Sequence, residues 1–486
     1  MKRYILLPLL AFAVSCGSPK NATESDSLPP IWPDYSEVTV PYNIAPLDFG
    51  VKDACRGIAV TVTDKDGRTV LSDRGRKCVR FNLKRWHGVL ADNSGEALTF
   101  NVFVRHEDGW HAYRPFNVHV SPDSIDYGLT YRLIMAGYQS FGHMGIYERR
   151  LSDFHQRTLI DNRMADDGCL NCHTPDRTDP SSFSLHVRGA HSATLLYHDG
   201  EMECLNTITD TTGGFFVYPY WHPSGDYISY SVNKTKLSFY TSTDRRVEVY
   251  DQASDVIVYH PSTHEVLLSP LIRRKDKFET YPAFSRDGGT LYFCSSDAAD
   301  LPSEMKKNVY SLCSIGFNAS DGTFADKIDT LLCGPELNMS FCTPRPSFDG
   351  KYIMLAGMDY GTFPLWHKEA DLYLYDIGKA ELRSIDELNS GDSESFHNWS
   401  GNSRWVVFSS RRDDGLYTRL YIAHVEDDGT FGKPFILPQR DPVRYYGNLE
   451  YSYNIPDFTS SPVPLDVREV RTTILSKDRT GVHIRK

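Results

Sequence analysis

The sequence predicts an all-β protein: a β-propeller of about six blades, preceded by a small immunoglobulin- or fibronectin-like β-sandwich. Two observations carry this. First, four segments share one pattern: "YPYWHPSGDYISYS" from Tyr218, "YPAFSRDGGTLYFCSS" from Tyr281, "TPRPSFDGKYIMLAG" from Thr343 and "FHNWSGNSRWVVFSS" from Phe396. Each reads as a short strand, a tight polar turn and an alternating strand. The turns hold Ser224-Gly225, Asp287-Gly288, Asp349-Gly350 and Asn402-Ser403, residue pairs that tolerate the positive φ of a hairpin turn. The segments recur about every sixty residues, and the intervals hold further strand pairs such as "DVIVYHPSTHEVLLSP" and "DLYLYDIGKAELRSI". Four strands in a unit of this length make a propeller blade. Second, the 29 Tyr, 25 Phe, 34 Gly and 27 Pro favour many short strands joined by turns over helices.

The propeller is expected over residues 123–455, which at this repeat length gives about six blades. Its earliest blades are not visible as repeats. Upstream, residues 31–122 carry "GIAVTVTD", "CVRFNLKRW" and "EALTFNVFVRHEDGWHAYRPFNVHV", read as alternating strands of the sandwich. Cys55 and Cys78 could bridge two of these strands. Between the domains, "RRLSDFHQRTLIDN" has helical spacing at Leu151, Phe154, Leu159 and Ile160. Residues 456–486 are expected to form a C-terminal extension.

The N-terminus bears on the compartment. Lys2 and Arg3 precede an apolar run from Ile5 to Val14, of secretory length and too short for a permanent membrane span. It ends in Ala13-Val14-Ser15-Cys16, which resembles a relaxed bacterial lipobox. Residues 1–16 are then a lipoprotein signal peptide, Cys16 carries lipid, and the polar residues 17–30 form a flexible tether. The expected location is a membrane, the outer one in preference, because Gly17 rather than Asp follows the cysteine. A net charge of −11 argues against nucleic acid as a partner.

Export gives meaning to "DDGCLNCHTPDR". Cys169 and Cys172 followed by His173 have the spacing of covalent haem c attachment, in which two thiols add across the vinyl groups and the imidazole takes the iron. A zinc half-site, with His186 and His191 nearby, and an inert or disulfide pair are the alternatives. His186 is the candidate distal ligand, with His191, His143, Met144 and Met164 as rivals. Arg188 is a candidate contact for a haem propionate. "SSRRDDGLYTR", residues 409–419, is dense in charge and is read as a solvated turn.

The turn-and-strand repeat resembles the TolB-type, WD-repeat-like propellers. With "GCLNCHTPDRTDPSSFSLHVRGAHSATLL", "HNWSGNSRWVVFSSRRDDGLYTRLYIAHV" and "IWPDYSEVTVPYNIAP", the chain resembles exported Bacteroidetes propeller lipoproteins bearing one c-type haem motif. The resemblance implies a haem c protein of the cell envelope, engaged in electron transfer or redox sensing, with redox or assembly partners docking on the propeller face. The alternatives are a TolB-like binding protein without redox role and a haem-dependent oxidoreductase. No Gly-x-Ser-x-Gly elbow accompanies the propeller, which disfavours a serine hydrolase. Cys16→Ser is expected to move the protein from the membrane to the soluble fraction on cell fractionation; continued sedimentation with membranes would place the anchor elsewhere.

Overall fold

The computed structural model describes residues 19–135, 142–208, 212, 214–240 and 247–485. The expected signal peptide, with Cys16, lies outside them. Two compact units emerge: one contains Pro46–Val120, the chain up to Glu37 and Pro438–Gly447, and the other contains Val38–Ala45, Ser121–Leu437 and Asn448–Lys486.

In the first unit, Ala97–His106 is the central strand. Gly57–Thr63 lies along one edge, and Phe116–Ser121 and Gly109–Ala112 share the other. A second, small sheet joins Ile31–Trp32, Phe49–Val51 and Cys78–Val79. The strand expected through "CVRFNLKRW" stops early. Asn82 accepts from Arg85 N at 3.1 Å and caps a helix, Leu83–Asp92, which buries Trp86 and Leu90. Trp86 stacks on Phe81 at 5.3 Å, an aromatic contact that rewards a helix where local alternation suggested a strand. Cys55 and Cys78 are both free thiols, so the bridge between them is not made. The expected tether is also partly ordered: Thr23–Glu24 pairs in parallel with residues 111 and 112.

The second unit is a six-bladed β-propeller. Blades 2 to 6 each use four consecutive strands, with inner strands Leu170–Asp176, Phe216–Trp221, Lys277–Phe284, Ser340–Pro346 and Glu394–Trp399. Blade 1 takes Gly128–Met135, Met144–Arg150 and Gln156–Asp161 from one end of the sequence and its inner strand, Tyr451–Thr459, from the other. That pairing closes the ring. The helix expected through "RRLSDFHQRTLIDN" is a strand instead, Gln156–Asp161. There Leu159 and Ile160 are buried and pairing with Met144–Arg150 satisfies the backbone.

Beyond Thr459 the chain is no free extension. Val463, Leu465, Val470 and Ile474 pack into one apolar cluster with Ile146 and Leu159 of blade 1 and Leu185 and Leu195 of blade 2. Asp466 caps the helix Val467–Leu475. Thr480–Gly481 and His483–Ile484 then add parallel strands to the outer edges of blades 2 and 3. The strap covers sheet edges that would otherwise template pairing with other chains.

"SSRRDDGLYTR" is not a solvated turn. Arg411 is buried over the Trp366 ring, and Arg412 pairs with the buried Glu394 at 2.9 Å. No helix among the described residues is long and apolar enough to cross a membrane.

Ile474→Ala removes a fully buried side chain from the strap and is expected to cost about 2–4 kcal/mol of propeller stability, read from the urea midpoint. An unchanged midpoint would mean that the strap does not contribute to the cooperative unit.

Candidate functional site

The inner strands share a backbone device. Cys172, Tyr218, Tyr281, Thr343, Phe396 and Ile455 all have positive φ, between 37° and 52°, and each sits where the register slips against the next strand. Positive φ is costly for ordinary residues, and most of all for the β-branched Thr343 and Ile455. Its presence in all six blades makes it a property of the ring: a bulge that re-aims the following side chains. The next residue is Pro in four blades, which costs nothing where the ladder is interrupted. In blades 2 and 6 it is His173 and His397.

"CHTPDRTDPSSFS" of blade 2 therefore occupies the place of "YPYWHPSGDYISY" in blade 3. The candidate haem motif is the inner strand of a blade. Leu170 and Asn171 pair with Val187 and His186, and Arg188 N bonds to Cys169 O at 2.8 Å, so this stretch is extended. Three extended residues separate the Cα atoms of Cys169 and Cys172 by about 10 Å. That is too far for a disulfide, and both thiols are free.

His173 is 1% exposed, its ring stacked near-parallel on Phe183 at 6.0 Å. The backbone of Thr130 in blade 1 lies close without completing a hydrogen bond, and neither ring nitrogen has a partner. Burial, helped by the Arg132 charge, pushes His173 down to about 3, so the imidazole is neutral. Unpartnered nitrogens are what an absent ligand would leave. The rest of the site does not fit a haem: the two thiols lie far apart along a paired strand, and the imidazole is covered on both sides by packed blades. A macrocycle here requires blades 1 and 2 to part.

His186 cannot be the distal ligand opposite His173. Phe183, Leu185 and Val187 face blade 1, whereas Ser184 bonds Tyr230 of blade 3 at 2.8 Å and His186 lies against the Phe215 ring at 4.9 Å. Alternation along the strand puts His186 and the Phe183–His173 stack on opposite faces of the sheet. Burial pushes His186 down to about 3 as well.

Of the rivals, His143 bonds Asp161 and Tyr451, and His191 bonds Asp166 at 2.7 Å. Met144 and Met164 lie in or against the cluster on the His173 face; the Met144 sulfur accepts from Leu170 N at 3.3 Å. Arg188 is half-buried, with its Nε unpartnered, and its charge partly offsets the burial that raises the Cys172 thiol. Among the described residues no group of three or more His, Cys, Asp or Glu could hold a metal ion.

The bulges frame an axial channel. Two positions beyond each left-handed residue stand Thr174, Tyr220, Ala283, Arg345, Asn398 and Asp457. The Arg345 guanidinium of blade 5 lies over the Tyr220 ring of blade 3, 5.4 Å from its centroid. Those blades are not neighbours, so the contact crosses the channel. Asn398 donates to one oxygen of Asp457, while the other, Oδ2, is buried without a partner. Burial raises Asp457 to about 7 against the opposing pull of Arg345, and it raises Asp176 likewise to about 7.

At the bulge end, the long hairpin Ile228–Phe239/Val247–His260 of blade 3 crosses the ring. Val247 and Val249 pack with Leu365, Trp366, Phe396 and Ile455, and Glu248 bonds His367 Nε2 at 3.0 Å with both side chains buried. At the turn end, Arg177 of blade 2 lies over Phe348 of blade 5 at 4.6 Å, beside a cavity of about 320 Å³.

No protein-family profile matches the chain, and no curated protein matches it. Solved structures give partial alignments with it. Prolyl oligopeptidase B from Galerina marginata aligns with TM-score 0.35 and 10% identity over 71% of this chain and 46% of its own; this chain thus spans less than half of that protein. An oligogalacturonate lyase in complex with manganese aligns at 0.30 and 10%, over 69% and 87%. A DUF4784 family protein from Bacteroides caccae aligns at 0.30 and 7%, over 74% and 96%.

Asp457 binds its proton more tightly folded than unfolded. Its contribution to stability is therefore present below its ordinary value of 3.8 and is lost as pH rises through about 7. Urea unfolding at about pH 5 and about pH 8 is expected to show wild type losing more stability with rising pH than Asp457→Asn. Equal losses would mean that the carboxylate is solvated.

Proposed function

We propose that this chain is a binding propeller of the cell envelope, exported and held by lipid on Cys16, with a role in recognition rather than electron transfer. One observation carries the choice against redox work. Cys172 and His173 stand at the bulge positions that Tyr218-Pro219, Tyr281-Pro282, Thr343-Pro344, Phe396-His397 and Ile455-Pro456 fill in the other blades. The ring geometry accounts for their backbone without a cofactor. The channel, crossed by polar side chains at its waist, supplies a concave surface suited to binding. Protein partners would dock on the propeller face.

A covalent haem c on Cys169 and Cys172 with His173 on the iron, serving electron transfer or redox sensing, is the second reading. The unpartnered nitrogens of buried His173 favour it. This reading requires the inner strand of blade 2 to leave its ladder. The test expresses the full chain together with the haem c maturation machinery and stains a denaturing gel for haem. A colourless band is expected. A stained band that disappears in Cys172→Ala would replace the binding proposal with the redox one.

A further inference from the structure

The channel waist holds groups that lack partners. Arg345 makes no hydrogen bond or ion pair among the described residues, although it lies deep in the ring against Tyr220. Arg177, at the turn-end mouth, lies over the Phe348 ring and likewise makes no hydrogen bond or ion pair among the described residues. A guanidinium resting over an aromatic ring keeps its N–H fork available for a bidentate acceptor. Beside Arg345, Asp457 is 2% exposed and its Oδ2 has no donor. A buried acceptor without a donor is destabilising, and a bound donor would relieve it.

We propose that the channel waist is a binding site for a small carboxylate that carries a hydrogen-bond donor next to its acid group, such as an amino acid or hydroxy acid end. The carboxylate takes the Arg345 fork. The neighbouring N–H or O–H donates to Asp457 Oδ2, which Asn398 holds in place through the other oxygen. Tyr220 supplies an apolar wall. The ligand comes from the turn end, where the cavity of about 320 Å³ is bordered by Asp176, Arg177, Pro223 and Phe348. Crossing of the opposite end by the blade 3 hairpin argues for that direction. Movement of Arg177 off Phe348 opens the way and offers the anion its first contact. This deepens the binding proposal above and has its own readout, since carboxylate binding and haem staining are scored separately.

The experiment is isothermal titration of the full-length lipid-free protein at low salt with L-glutamate, an amino acid, and D-gluconate, a hydroxy acid, with L-lysine amide as a cationic control. Saturable binding of glutamate or gluconate is expected. Preference for the first assigns an amino acid or peptide end as the source, and preference for the second a hydroxy acid. Arg345→Met should weaken binding about tenfold or more, and Arg345→Lys, which keeps the charge and loses the fork, by less. Arg274→Met, on an exposed loop of blade 3, should change nothing. The Arg345→Lys comparison stands if Arg345→Met does not fold. Saturation by neither acid, binding indifferent to both Arg345 variants, or tighter binding of lysine amide would each overturn the proposal.

Discussion

The structure depends on one pairing, that of Tyr451–Thr459 with Gly128–Met135. A propeller has no core of its own at the axis; each blade packs on two neighbours, and the ring holds only when the last meets the first. Here the closing strand comes from more than three hundred residues away. The entropy of closing so long a loop grows only with the logarithm of its length, and the register along nearly the whole strand, with Tyr453 and Phe458 fully buried, compensates it. The strap extends this closure. Val463 N bonds Glu148 at 2.5 Å, Arg157 donates to Val463 O, and the following helix fills the groove against blades 1 and 2.

Closure also sets the chemistry at the axis. Six inner strands converge there, and the bulge in each turns the chain so that the residue two places on meets its counterparts across the ring. The side chains at that place are therefore free of packing duty and can be polar. This is where Tyr220, Arg345, Asn398 and Asp457 collect. The positions two before them carry the backbone strain, and Cys172 is one of these. His173 and His397 replace the proline of the other blades, and burial pushes each to about 3. His397 Nε2 donates to Met354 O at 2.9 Å, which fixes its tautomer. His173 has only the backbone of Thr130 close by, without a completed hydrogen bond, so among the described residues both of its ring nitrogens lack partners.

The blade 3 hairpin gives the channel two unlike ends. Its strands run on past the blade and fasten by Val247, Val249 and the buried Glu248–His367 pair to loops on the far side of the ring. At the turn end Arg177 lies over Phe348, a cation–aromatic contact worth about 0.5–2 kcal/mol.

The sequence by itself determined the all-β class and the blade repeat, because turn pairs such as Asp287-Gly288 and strand alternation are local and recur, while the number of blades followed only from length, since the first blades do not read as repeats. It also held the signal for blade 2: "CHTPDRTDPSSFS" aligns with the repeat, but its cysteines and histidine drew attention to metal chemistry and hid the alignment. The channel residues Tyr220, Arg345 and Asp457 were legible only as residues two beyond a repeated position, a cue that acquires meaning once six strands share an axis. Tertiary structure alone decided the rest. The helix Leu83–Asp92 and the strand Gln156–Asp161 reversed their local patterns because Phe81 and the Met144–Arg150 ladder were there to receive them. His186 lost its place opposite His173 because alternation sends it through the sheet to the other side. Which buried groups find partners depends on what packs against them from distant parts of the chain, and no local spacing carries that information.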